Sequence, residues 1–146
     1  MVAALDHILD QLLPEERLKG LNLYDLPLPD IMVLWGSNLL EPDPTREVLT
    51  QVFGSARNNA EVQARLGKYM NEQFDQMARL VERGKDEGIT DPELSTAAVA
   101  LFMQALGIGT HLVMAGGLDE NRAPSTSDWQ GFLARIFDAT RPASAD

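Results

Sequence analysis

Between Ser95 and Ala115 the chain carries apolar or small residues on almost every side, with no Asp, Glu, Lys or Arg. Its length and its Gly116-Gly117 stop predict one helix. A helix without a polar face does not rest on the surface of a small monomer; a core or a partner must cover it. Just before it, Asn58–Gly84 is a longer pattern of the opposite kind, with Val62, Leu66, Tyr69, Met70, Phe74, Met77, Leu80 and Val81 repeating at three and four. That spacing predicts an amphipathic helix of about seven turns, roughly 40 Å at about 1.5 Å per residue. The pair argues for an all-α bundle that dimerises, and against a catalytic scaffold.

The length of 146 residues fits one domain able to bury roughly 70% of its unfolded surface. Cysteine is absent, which removes disulfides, thiolate metal sites and Cys nucleophiles and makes a reducing cytoplasm the expected location. Asp6, His7, Asp10, Glu15 and Glu16 break any signal-peptide core near the N-terminus. The most apolar window, Ala97–Gly109, contains Gln104 and falls short of the roughly 20 residues a bilayer demands, so no membrane span is expected. The net charge is −10, and residues 1–50 hold three basic groups against nine acidic ones. Phosphate backbones are gripped by clustered Lys and Arg. Nucleic-acid binding by this chain alone and adsorption to an anionic membrane are both disfavoured.

Glycine and proline punctuate the rest. Val2–Leu13 shows a one-faced apolar pattern, and Pro27 and Pro29 make Gly20–Asp30 a connector. Ile31–Leu40 reads as a short buried helix closed by Pro42 and Pro44. Thr45 is the expected N-cap of the next helix, with Val48, Leu49, Val52 and Phe53 as its stripe. Asn58 with Glu61, and Ser127 with Gln130, have the spacing of capping boxes. Asp91-Pro92 or Ser95 starts the apolar helix, and Arg141–Asp146 reads as a frayed tail. The organisation expected is a helix and connector over 1–29, a main domain over 30–139 and a tail over 140–146. No strand alternation survives anywhere in the chain.

From about Asp30 to Asp138 the order of elements resembles the C-terminal effector-binding and dimerisation domain of TetR-type bacterial transcriptional regulators. The residues that carry the resemblance are Asn59-Ala60-Glu61-Val62-Gln63-Ala64-Arg65-Leu66 at the head of the long helix and Val81-Glu82-Arg83-Gly84-Lys85-Asp86-Glu87-Gly88-Ile89 at its end. Asp91-Pro92-Glu93-Leu94, Ala97-Ala98 and Gly107-Ile108-Gly109 follow. The family's defining N-terminal helix-turn-helix domain has no counterpart, since Val2–Lys19 is too short and holds only Arg17 and Lys19 as basic groups. The sequence reads either as a truncated regulator or as a protein keeping only the effector half.

The resemblance implies that the last two long helices pair with their twins in a four-helix interface. Phe102, Leu106, Gly109 and Leu112 are the matching residues on the first helix; Trp129, Phe132, Leu133, Ile136 and Phe137 are those on the second. Packing of the same stripes within one monomer is the bland alternative. A ligand pocket is implied between the earlier helices and the long one, with Met32, Trp35, Leu39, Phe53, Tyr69, Met70, Phe74, Met77 and Met103 as candidate walls. Methionines and aromatics adapt to irregular apolar ligands, and equally they fill ordinary cores. The expected occupant is a small hydrophobic effector that favours one arrangement of helices.

An enzyme needs a nucleophile, a base or a metal set. His7 and His111 are far apart, with His7 beside Asp10 on a terminal helix and His111 in an apolar run. Asp25, Asp30, Glu41 and Asp43 lack the spacing of a calcium loop. No phosphate loop, His-Glu-x-x-His or nucleophile elbow occurs. The expectation is therefore a non-enzyme with no cofactor or metal, pairing as a homodimer. A headless partner that heterodimerises with a full-length regulator, and a small helical enzyme, are the other readings.

Overall fold

The computed structural model describes residues 36, 39–40 and 44–143, with backbone alone for 44–47 and 49. The expected helix over Val2–Leu13, the connector, most of Ile31–Leu40, and His7, Asp10, Asp25, Asp30, Glu41, Asp43, Met32 and Trp35 lie outside the described residues. Among the described residues the fold is all-α: α1 (Pro44–Ala56), α2 (Ala60–Asp86), α3 (Thr96–Ala115) and α4 (Thr126–Asp138), with no strand.

The helix starts differ from the sequence reading, each for a local reason. α1 begins at Pro44, one residue before Thr45. Proline suits a first helical position because its missing N–H would have no partner there. The cap of α2 is Asn59 and not Asn58: Asn59 is extended, and its Oδ1 accepts the amides of Glu61 and Val62 at 3.0 and 3.2 Å. Asn58 instead closes the preceding turn, donating its N–H to the Ser55 carbonyl. Ser95 caps α3 through the Ala98 amide, while Asp91-Pro92-Glu93-Leu94 folds into a turn upstream. α4 is capped by Ser125 and not by Ser127. Ser125 accepts the Asp128 amide at 3.1 Å, and its hydroxyl donates to the Asp128 carboxylate at 2.6 Å. Asp128 sits in the first turn, where its charge also meets the positive end of the helix dipole.

The helix ends follow one rule. α2 runs past Gly84, which is buried, and stops when Gly88 takes φ +70°. The Ile89 amide then reaches the Gly84 carbonyl at 2.8 Å and the Gly88 amide reaches Lys85 at 3.0 Å, the paired bonds of a Schellman stop. α3 ends the same way at Gly117, with φ +88°. Only glycine takes this left-handed backbone without strain.

α2 is the central element, packing against α1 and α3. Its apolar stripe is buried or half-buried at each position from Val62 to Val81, and it serves two separate clusters. Toward its start, Leu66 meets Val52 and Ala56 of α1, with Val48, Phe53, Val62, Tyr69 and Met70 around them. Toward its end, Met77 and Val81 meet Ala100 and Met103 of α3, with Phe74, Leu80, Val99 and Phe137 around them. Gln104, in the middle of α3, donates to the Met70 carbonyl at 2.8 Å, which removes the cost of covering its amide. A second clamp joins the helices where Lys85 donates to the Thr96 hydroxyl at 2.8 Å and that hydroxyl donates to the Glu82 carboxylate. On the outer side of α2, Glu61–Arg65 and Lys68–Glu72 pair.

Candidate functional site

Two features stand out from the bundle: a cavity behind α4 and an uncovered face on α3. The cavity has a volume of about 170 Å³ and lies among the end of α2, the first half of α3 and the inner side of α4. Val81, Val99, Met103, Leu133 and Phe137 supply most of its apolar wall. Thr90, Thr140 and Arg141 stand at its polar edge. Local chain geometry builds it: the Gly88 turn brings buried Thr90 back under α2, and the Asp91 amide then donates to the Thr140 carbonyl at 2.8 Å. Thr140 and Arg141 therefore begin the expected tail as held residues. The Thr140 hydroxyl donates to the Phe137 carbonyl at 2.7 Å, and Arg141 pairs with Asp138 at 2.8 Å.

Of the nine residues expected to line a pocket, the seven described ones do not gather at one place. Met32 and Trp35 lie outside the described residues, and Leu39 is buried. Phe53, Tyr69 and Met70 are half-buried around the first cluster, while Phe74, Met77 and Met103 belong to the second. Met103 alone among the described ones lines the cavity. Leu80 and Val81 were legible as stripe residues of their helix, but their sharing of a void with α4 was not.

The residues expected at a subunit interface divide by face. Leu133 is buried inside the monomer, and Phe137 packs on the second cluster. Both turn inward because positions 133 and 137 are one turn apart on the side of α4 that meets α2 and α3. They are walls of the cavity, and as placed they are not anchors for a second copy. Phe132 is 54% exposed and stacks on half-buried Trp129, ring centroids 6.1 Å apart. Ile136 is half-buried. On α3, Phe102 and Leu112 are exposed, while Leu106 and Gly109 are partly covered.

Burial on α3 follows Ala100, Met103 and His111, one narrow stripe facing the bundle. The opposite side leaves Leu101 58%, Phe102 43%, Leu112 37% and Val113 55% exposed. A methyl group built on Gly109 meets nothing within 4 Å, so no packing inside the monomer asks for glycine there. The expectation that no apolar stretch reaches membrane length, drawn from the window Ala97–Gly109, is corrected by the helix itself. α3 continues for 20 residues without a charged side chain and is long and apolar enough to cross a membrane.

Among the described residues no three His, Asp or Glu side chains come together as a metal-binding group. Compared with known proteins, the chain matches no family model, no curated protein and no solved structure.

Proposed function

We propose that this chain is a small-ligand-binding and dimerising domain, of the kind found in the C-terminal half of TetR-type regulators, and that it acts by binding and not by catalysis. The observation that carries the reading is the uncovered side of α3, where Leu101, Phe102, Leu112 and Val113 stand in water. Large contiguous apolar patches on soluble proteins mark contact sites. The occupant best suited to this face is a second copy. Two chains of net charge −10 repel, but α3 brings no charge to the contact. α3 is about 30 Å long and α4 about 20 Å, each about 10 Å wide. Pairing along both would bury about 1,000 Å² in all, the size at which a specific interface becomes distinct from a chance contact. Phe102, Leu106, Gly109, Leu112, Trp129 and Phe132 are the residues for it. In such a dimer a ligand that favours one helix arrangement would reset the spacing of whatever each copy carries.

Sedimentation equilibrium tests the pairing. The expected mass is twice 16.1 kDa, falling to 16.1 kDa in Leu101→Glu and Leu112→Glu. A wild-type chain that stays monomeric at high micromolar concentration, or that floats with neutral lipid vesicles in place of pairing, sinks this reading.

A further inference from the structure

Protein interiors hold few spaces larger than a water molecule. The space behind α4 is about 170 Å³, close to the size of an apolar cavity of about 150 Å³ that admits benzene. There is room for one aromatic ring, a small fused pair, or a short acyl chain. Val81, Val99, Met103, Leu133 and Phe137 present hydrocarbon, thioether and ring surface to it. Pockets of this composition gain affinity from apolar contact and take orientation from a few polar groups at one end.

That end specifies charge. Arg141 and Asp138, both mostly exposed, pair at 2.8 Å, so the edge carries no net charge. A charged ligand would have to compete with that pair for its counter-ion while losing water to the apolar wall, whereas a neutral one would not. Thr140 spends its hydroxyl hydrogen on the Phe137 carbonyl, which leaves its oxygen as an acceptor. A ligand N–H or O–H is the complementary group.

We propose that the half-open cavity lined by α2, α3 and α4 is a binding site for a small uncharged aromatic molecule that carries one hydrogen-bond donor. This assigns the ligand-binding half of the proposed function to a particular place and rests on that half, independently of the pairing along α3.

The test is a titration of the isotope-labelled full-length chain with indole and, in parallel, with benzoate, followed by amide chemical shifts. Saturable indole shifts at Val81, Val99, Met103, Leu133 and Phe137 are expected, with benzoate at least tenfold weaker. Val99→Phe fills the space and should weaken indole at least tenfold; Lys68→Ala, on the solvent face of α2, should leave it unchanged. If Val99→Phe does not fold, Ala134→Leu narrows the cavity from its other wall, and the wild-type shift map stands by itself. No saturable shift at millimolar indole, shifts centred on Val52 and Leu66, or equal binding of benzoate would each overturn the proposal. Sedimentation of the same samples separates the two ideas. A dimer that ignores indole removes the site and keeps the pairing; a monomer that binds indole keeps the site and removes the pairing.

Discussion

The amide of Asp91, in the loop after α2, donates to the carbonyl of Thr140, just past the end of α4, at 2.8 Å. This bond joins residues far apart in sequence and fixes where α4 finishes against the rest of the bundle. Among the described residues this backbone bond and the inward side chains of Leu133 and Phe137 seat α4, and it should open as a unit before α2 does. Hydrogen exchange should show the Asp91 amide slowed at least tenfold relative to that of Ser95. In Leu133→Ala the Asp91 and α4 amides should speed up together while those of Met77 and Val81 stay slow. Equal acceleration everywhere would mean that α4 does not open separately.

Gly109 separates pairing from monomer packing. Glycine in a helix interior costs about 1 kcal/mol relative to alanine, and nothing within 4 Å of its Cβ position opposes a methyl group. Gly109→Ala should therefore stabilise the monomer by roughly 0.5–1 kcal/mol in urea at low concentration. In a dimer with close backbone approach at 109, the same change should weaken association at least fivefold. Gly67→Ala, whose Cβ position on α2 is equally open, should stabilise to a similar degree without touching association. Identical behaviour of the two variants in sedimentation would remove Gly109 from the interface.

Ser125 both accepts the Asp128 amide and donates to its carboxylate. Ser125→Ala should cost about 1 kcal/mol in thermal or urea unfolding. Ser127→Ala, at the position where the sequence spacing suggested the cap, removes only an exposed hydroxyl contact with Ser125 at 3.0 Å and should cost less, about 0.5 kcal/mol. A reversal of that order would place the start of α4 two residues later.

Thr96 is the middle of a three-residue clamp, taking the Lys85 ammonium proton and giving its own to Glu82. The Lys85 side chain is mostly covered there. Thr96→Ala leaves both partners short of a bond and should cost about 1–2 kcal/mol, since hydrogen bonds to charged groups are the stronger kind. The urea midpoint should fall with an unchanged slope. The same loss in Ala97→Ser, an exposed neighbouring change that leaves the clamp alone, would show that the effect is not specific to it.

The helices were legible because period and punctuation agree. From Val62 to Val81 the apolar spacing is unbroken, and Gly88 and Gly117 stop their helices by a backbone conformation that other residues resist. Caps were less legible: Asn58 and Asn59, or Ser125 and Ser127, differ only in which one the incoming chain leaves extended, and that depends on the turn before them. The cavity was not legible at all. Leu133 and Phe132 are adjacent, equally apolar, and face opposite ways, because periodicity assigns relative faces and not the neighbour each face meets. Placement of Leu133 needed the Asp91–Thr140 contact, which local sequence does not encode.

Leu133 offers the sharpest trial of the space behind α4. A methyl group on Gly36 would lie 2.7 Å from its Cδ1, so the backbone of residue 36 presses directly on this side chain. Leu133→Ala deletes a buried wall of the cavity and should cost about 2–5 kcal/mol, toward the upper end where the surroundings do not collapse. The enlarged cavity should then gain stability from indole by mass action, about 2.7 kcal/mol at one hundred times its dissociation constant. Melting curves with and without indole measure this. Recovery in Leu133→Ala that exceeds the gain in wild type would show an open, apolar space waiting for a ligand. No recovery would mean that α4 has closed over the gap, and the cavity would then be soft packing with no binding role.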